Sequence, residues 1–129
     1  MPIKRYGSGR SGAGGQHLPF AKATQAGGFL FISGQVAMDE SGEIVPGGII
    51  PQARKTIENL IKILEECHYT LADVVKVNVW LDDPRDFWTF NKIYAEYFSD
   101  HPPARSTVCS SMMVDAKIEM DLVAYQPPH

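Results

Sequence analysis

The sequence has few cysteines and histidines, the residues that form disulfides and most structural zinc sites. It holds two cysteines, Cys67 and Cys109, and four scattered histidines among 129 residues. Two isolated cysteines do not make a disulfide framework, so we interpret both as free thiols. A zinc site needs three or four converging ligands, and the histidines have no paired spacing or matching cysteines. The sequence therefore predicts neither a disulfide scaffold nor a bound metal.

Long hydrophobic runs and basic clusters are also missing. No apolar segment approaches the length of a membrane span, and the first ten residues lack the apolar core of a signal peptide. The net charge is −3, whereas a nucleic-acid-binding protein normally has a basic face. We therefore expect a cytoplasmic protein that has neither a membrane nor a nucleic acid as its partner.

Glycine is concentrated near the start, where residues 6–16 read YGSGRSGAGGQ. Residues 7–12 match GxGxxG literally, but the nucleotide-binding form of this motif needs a strand before it and a helix after it. Only six residues precede the match and more glycine follows, so the context of a nucleotide site is absent. We interpret residues 1–17 as a flexible glycine-rich arm and residues 18–129 as a single domain.

Hydrophobic periodicity divides the rest of the chain into strands and two helices. The expected strands cover residues 22–26, 29–33, 73–81, 104–110 and 116–125, with weaker ones at 36–38 and 44–45. The expected helices cover residues 49–67 and 82–99. The strand at 73–81 alternates strictly, which predicts one apolar face formed by Val75, Val77, Val79 and Leu81.

This order of elements predicts an α+β fold, a mixed sheet with two helices packed on one face. A strand–helix–strand passage generally requires a parallel pair, and terminal hairpins add antiparallel edges. The second face of the sheet would carry a mixture of residues, namely Asn78, Trp80, Arg105, Thr107, Glu119 and Val123. That mixture is too apolar for bare solvent, so we expect a homo-oligomer that covers the face.

Arg105 stands out because a guanidinium is almost never buried without a partner. Glu119 lies on the next predicted strand, and the short connection predicts that the two strands are antiparallel neighbours. Two interpretations stay open. One is a salt bridge within the sheet or between subunits. The other is an arginine that binds a substrate carboxylate, beside a glutamate that accepts a proton from an attacking water.

Several short motifs occur in the order found in one known family. They are ISGQ at 32–35, Gln52 and Asn59 in the first helix, DVVK at 73–76, NKIYAEYF at 91–98, PARS at 103–106 and KIE at 117–119. Together they resemble the RidA (YjgF) family from about residue 18 to residue 125. The resemblance implies a chorismate-mutase-like fold and a homotrimer with a cleft at each subunit interface. It also implies hydrolysis of reactive enamines and imines, such as 2-aminoacrylate or 2-iminobutanoate, to 2-oxo acids and ammonia, without cofactor or metal.

The same resemblance implies roles for individual residues. Arg105 matches the arginine that binds the substrate carboxylate, and Glu119 matches the glutamate associated with the catalytic water. The expected catalytic residues are thus Arg105 and Glu119, and the expected substrate-binding residues are Phe20, Ser33, Gly34, Asn91, Arg105 and Thr107.

Two of these positions depart from the family pattern. Thr107 stands where cysteine is common, and Phe20 stands where tyrosine is frequent. Losing the tyrosine hydroxyl removes a hydrogen bond worth about 1 kcal/mol. It also makes the pocket more apolar, which would suit a larger or different imine.

Three other functions are open to a protein of this kind. A non-catalytic trimer would bind a carboxylate metabolite through the same arginine. A holdase-type protein would act through exposed apolar surface and would not need Arg105. A ribonuclease, which the older family label suggests, is disfavoured by the acidic charge and the lack of a histidine pair.

Overall fold

The computed structural model describes residues 2–12 and 15–127, in which a six-stranded mixed sheet carries two α-helices. The strands are β1 (Lys4–Tyr6), β2 (Ala23–Ala26), β3 (Phe29–Gln35), β4 (Val74–Leu81), β5 (Ala104–Cys109) and β6 (Ile118–Tyr125). The helices are α1 (Ile49–Glu66) and α2 (Phe87–Phe98), with short 3-10 helices at Leu71–Asp73 and Pro84–Asp86. Five residues of the expected arm and domain lie outside the described residues, namely Met1, Ala13, Gly14, Pro128 and His129.

The strand order across the sheet is β1-β2-β3-β6-β4-β5. β4 and β5 are parallel, and every other neighbouring pair is antiparallel. α2 supplies the crossover that the parallel pair requires. Both helices lie on one side, where α1 contacts β3, β6 and α2. The predicted α+β architecture is therefore confirmed.

The core lies between this helix face and the sheet. Its fully buried large side chains are Leu30, Thr56, Ile57, Leu60, Leu64, Val77, Val79, Phe90, Ile118, Met120 and Leu122. Their alternation along the strands and their helical spacing in α1 agree with the predicted periodicity. No helix among the described residues is long and apolar enough to span a membrane.

The predicted pairing of β5 with β6 is wrong, because β4 lies between them. Arg105 is opposite Val77 of β4, and Glu119 is opposite Trp80. Successive side chains of a strand point to opposite faces, so Arg105 projects on the helix face with buried Val77. Glu119 projects with Trp80 on the other face, which we call the open face.

Thr107 is misassigned for the same reason, since it lies opposite buried Val79 and projects on the helix face. The error came from the connection between β5 and β6. Two strand spacings measure roughly 10 Å, a distance that residues 110–117 bridge without strain. A short connection therefore did not require adjacent strands.

A β-bulge changes the predicted alternation at the start of β4. The pairing with β6 shifts between Val74 and Lys76, so Val74 is buried whereas Val75 is exposed. An extra residue in one strand moves the side chains on one side of the bulge to the opposite face of the sheet. The weak strands expected at 36–38 and 44–45 form only a single bridge between Met38 and Ile44.

The N-terminal segment differs from the arm expected over residues 1–17, because Lys4–Tyr6 forms β1. This strand pairs with β2, and the Tyr6 hydroxyl donates to Gln25 Oε1 at 3.2 Å. The edge of β2 offers unpaired backbone N–H and C=O groups, and the backbone of β1 pairs with them. Because this pairing uses only backbone groups, β1 needs no alternation of apolar and polar residues. Further along, Ser11 and His17 form an isolated bridge.

Candidate functional site

Arg105 reaches from β5 to α2 on the helix face. Its Nη2 donates to Asn91 Oδ1 at 2.7 Å. The guanidinium carbon lies 4.6 Å from the ring centroid of Tyr94, 5.3 Å from that of Phe90 and 5.8 Å from that of Phe87. Aromatic faces attract a cation without neutralising it. Among the described residues no carboxylate forms a salt bridge with Arg105, so N–H groups remain for an anion.

The aromatic stripe of α2 fixes this arginine. Phe90 and Tyr94 lie 5.6 Å apart between ring centroids, and Tyr94 stacks on Phe98 at 4.4 Å. Burial raises the pKa of Tyr94, and this effect is larger than the lowering by the positive charge of Arg105. The Tyr94 hydroxyl therefore stays neutral beside the guanidinium. Asn91 lies one turn after Phe87 and faces the same strand. The arginine is therefore positioned by the protein's own core.

Glu119 lies on the open face against the backbone of Gly34. A Cβ built on Gly34 would overlap Glu119 Oε2, so only glycine leaves the carboxylate in place. The pairing of β3 with β6 shifts between Ile32 and Gln35, and this irregularity brings Gly34 to the carboxylate. Burial raises the pKa of Glu119, and the negative charge of Asp121 raises it further.

Ser33 lies on β3, next to Gly34, and Phe20 lies in the segment before β2. The Ser33 hydroxyl donates to Ala21 O at 2.7 Å, so it presents only lone pairs to a ligand. Phe20 is exposed, and the guanidinium carbon of Arg10 lies 5.6 Å from its ring centroid. Phe20 and Ser33 both line a cavity of about 530 Å³ that the N-terminal segment closes on one side.

The predicted site residues thus fall into two groups on opposite sides of the sheet. The arginine half-site consists of Asn91, Arg105 and Thr107. We group Phe20, Ser33, Gly34 and Glu119 as the carboxylate half-site, in which Glu119 lies against Gly34, whereas Phe20 and Ser33 line a cavity that Glu119 does not. Within one chain the structure does not bring the two half-sites together. A salt bridge between Arg105 and Glu119 within the sheet is therefore wrong, whereas the ion pair between subunits, the other form of that interpretation, stays a prediction.

Sequence reasoning missed the rings around Arg105. It assigned Phe87, Phe90 and Tyr94 to the core by their helical spacing, and they both pack in the core and hold the guanidinium. An aromatic stripe on the helix that precedes an arginine-bearing strand was the available signal. The described residues contain no cluster of three or more metal-ligating side chains.

Comparison with known proteins identifies the family. Residues 15–126 match a family model described as Endoribonuclease L-PSP. The chain belongs to this family, also known as the RidA (YjgF) family. The predicted family is thereby confirmed over nearly the whole chain.

Relatives within the RidA family are similar over most of their length. A RutC family protein of Pyrococcus horikoshii is 46% identical over 110 residues, which cover 84% of this chain and 87% of that protein. The mouse 2-iminobutanoate/2-iminopropanoate deaminase is 37% identical over 112 residues, which cover 85% of this chain and 83% of that protein. The crystal structure of yeast Mmf1 has a TM-score of 0.86 at 30% identity and covers 97% of this chain and 99% of its own.

Proposed function

We propose that this protein hydrolyses reactive 2-imino acids and their enamine tautomers to 2-oxo acids and ammonia. The observation that carries the proposal is Arg105, a partly buried cation held by three rings and one amide, with no carboxylate partner among the described residues. A guanidinium in this setting binds a carboxylate through two parallel hydrogen bonds. The similarity to a mouse protein named as an imine deaminase supports the same reaction.

The chemistry follows from three groups. Arg105 binds the substrate carboxylate, and the Ser33 hydroxyl accepts a hydrogen bond from the iminium N–H. Glu119 accepts a proton from a water molecule, whose oxygen bonds to the imine carbon and forms a carbinolamine. The proton returns from Glu119 to the amine nitrogen and the C–N bond breaks. The hydroxyl proton passes to the departing ammonia, leaving a 2-oxo acid and ammonium.

This reaction needs Arg105 and Glu119 at one substrate, although they project on opposite faces of one sheet. We therefore place the two half-sites of each active site on different chains of a homo-oligomer, with a homotrimer as the expected form. The apolar side chains exposed on the open face support such an interface, since Phe29 and Phe31 are 44% and 45% exposed. The proposed location is the cytoplasm, on the sequence alone.

The test is hydrolysis of 2-iminobutanoate, generated in the assay by a threonine dehydratase. Trapping the residual imine and measuring 2-oxobutanoate give the rate. We expect the wild type to consume the imine and Arg105→Ala to lose about 100-fold in kcat/KM, because the carboxylate loses its charged partner. The matched control is Arg54→Ala, which removes an exposed arginine paired with Glu96 and should keep full activity.

An Arg105→Ala variant as active as the wild type would show that the arginine does not bind the substrate. Thermal stabilisation by 2-oxo acids without any turnover would instead support a non-catalytic binding protein. RNA cleavage that persists through extensive purification and survives Arg105→Ala would support a nuclease.

A further inference from the structure

An apolar groove adjoins the arginine half-site at the end of β5. It has a volume of about 260 Å³ and lies between β5 and the start of α2. Its walls are Leu81, Pro84, Phe87, Trp88, Thr107, Val108 and Cys109. We call it the β5–α2 groove. No charged side chain lines it among the described residues.

Two residues connect the groove with Arg105. Phe87 forms part of the groove wall, and its ring centroid lies 5.8 Å from the guanidinium carbon. Thr107 lines the groove and lies two positions beyond Arg105 on the same face of β5. Cys109 follows at the next position of that face. Because alternate residues of a strand lie about 7 Å apart, the groove begins within one side-chain length of Arg105.

The wall of the groove includes an unusually exposed aromatic ring. Trp88 is 76% exposed, and it packs edge-on against Phe87 with the ring centroids 5.1 Å apart. The polar side-chain groups of the wall are uncharged: the Trp88 indole N–H, the Thr107 hydroxyl and the Cys109 thiol, which lies 3.8 Å from Asp82 O. A ligand group in this groove would therefore be recognised by apolar and aromatic contact rather than by charge.

We infer that the β5–α2 groove binds the side chain of the imino acid, and that the preferred substrates carry a large apolar or aromatic side chain. This inference rests on the proposed function. A methyl group is similar in size to a water molecule, which occupies roughly 30 Å³. A groove of about 260 Å³ is far larger than the ethyl group of 2-iminobutanoate needs. Phe20, which makes the other half-site more apolar, fits the same class of substrate.

The experiment compares two imines that differ in side-chain size. An L-amino-acid oxidase generates 2-imino-3-phenylpropanoate from phenylalanine, and a threonine dehydratase generates 2-iminobutanoate. We expect kcat/KM to be at least about tenfold higher for the phenyl substrate, since a single methylene group in an apolar pocket already changes kcat/KM by about this factor. Equal rates, or a preference for 2-iminobutanoate, would overturn the inference.

Variants of the groove separate its role from that of the arginine. Cys109→Phe fills part of the groove and should lower kcat/KM at least about tenfold more for the phenyl substrate than for 2-iminobutanoate. Cys109→Ala removes the thiol without filling the groove and should retain the phenyl preference. Ile50→Phe, which adds a ring at an exposed position of α1, is the control. An equal loss on both substrates in Cys109→Phe would contradict the inference.

Failure of the proposed function would look different, because neither imine would be hydrolysed. The groove would then be judged by calorimetric binding of the 2-oxo acids to the intact oligomer. Tighter binding of phenylpyruvate than of 2-oxobutanoate, with the difference lost in Cys109→Phe, would support the groove as a side-chain site. Equal binding of the two acids would overturn it.

Discussion

On the helix face of the sheet Arg105 is surrounded by side chains of its own chain, whereas on the open face Glu119 lies against bare backbone. The guanidinium has an amide partner at 2.7 Å and three aromatic rings within 6 Å. The carboxylate has the Gly34 backbone beside it and the like charge of Asp121 nearby, and its pKa is raised. Neither charge has an oppositely charged partner among the described residues, but side chains of its own chain hold the guanidinium in place, whereas the carboxylate has only backbone and a like charge beside it.

This difference indicates what each half-site needs from outside. In the arginine half-site the core fixes the guanidinium, so the proposed role of Arg105 needs only an anion. The carboxylate half-site needs a covering surface, since the open face on which Glu119 lies also exposes rings further along the sheet, such as Phe29 and Phe31. Covering the open face of one chain with the arginine half-site of another meets both needs.

The largest effect is expected from Glu119→Gln. A positioned general base contributes about 10²- to 10⁴-fold, so kcat/KM should fall by about 10³-fold. In the wild type kcat/KM should fall as the pH drops through the raised pKa of Glu119, above the ordinary value of 4.5, because only the ionised carboxylate accepts a proton. The variant should lack this acidic limb. Rate measurements across pH that show the same limb in Glu119→Gln would assign it to another group.

The same substitution has a stability control. A carboxyl whose pKa is raised in the folded state destabilises the fold once it is ionised, at pH values above that pKa. Glu119→Gln should therefore be no less stable than the wild type at neutral pH. Thermal unfolding at pH 7 checks this, and a large loss of stability would mean that Glu119 has a structural role.

A smaller effect is expected from Gly34→Ala. The added methyl group overlaps Glu119 Oε2, the end of a flexible side chain, so the carboxylate moves and the fold is retained. We expect about a tenfold loss of kcat/KM with little change in melting temperature. Gly42→Ala is the matched control with the opposite expected result. A Cβ at Gly42 would have no heavy atom within 4 Å, but φ there is +85°, which strains any residue other than glycine. This variant should lose about 1 kcal/mol of stability and keep full activity.

If Gly34→Ala loses stability and activity together, the glycine serves the fold rather than the position of the carboxylate. Parallel kinetics and thermal unfolding of the two glycine variants distinguish these roles.

The smallest effect is expected from Asp121→Asn. Removing the negative charge lowers the pKa of Glu119 towards its ordinary value, so the acidic limb moves to lower pH. The Asn78 amide, which donates to Asp121 Oδ1 at 2.9 Å, finds an amide oxygen in the same place. Activity at neutral pH should change less than about twofold. An unmoved pH profile would show that Asp121 does not act on the Glu119 carboxylate.

Local signals were enough to predict most of the fold. The helical spacing of α1 and the glycine pair between β2 and β3 fixed those elements to within one or two residues. β1 had no such signal, because a three-residue polar strand forms only by pairing with an existing edge. Val75 is exposed because of a β-bulge, and the alternation of apolar and polar residues does not predict where a bulge occurs.

The site was predicted less completely for a similar reason. Residue chemistry and family motifs selected Arg105 and Glu119. The face of the sheet on which each side chain lies, however, depends on the position of β4 between β5 and β6. The position of β4 is set by pairing between distant parts of the chain. The connection from β5 to β6 is long enough for these two strands to be adjacent or to have β4 between them. The division into two half-sites therefore emerged only from the strand order.

The central claim is that one active site takes Arg105 and Glu119 from different chains. Mixing Arg105→Ala with Glu119→Gln tests it directly, by co-expression or by refolding the two variants together. With equal and random assembly in a ring, each site has about one chance in four of combining an intact arginine half-site with an intact carboxylate half-site. The account predicts recovery of about a quarter of the wild-type rate from two inactive variants. A mixture as inactive as its components would contradict it.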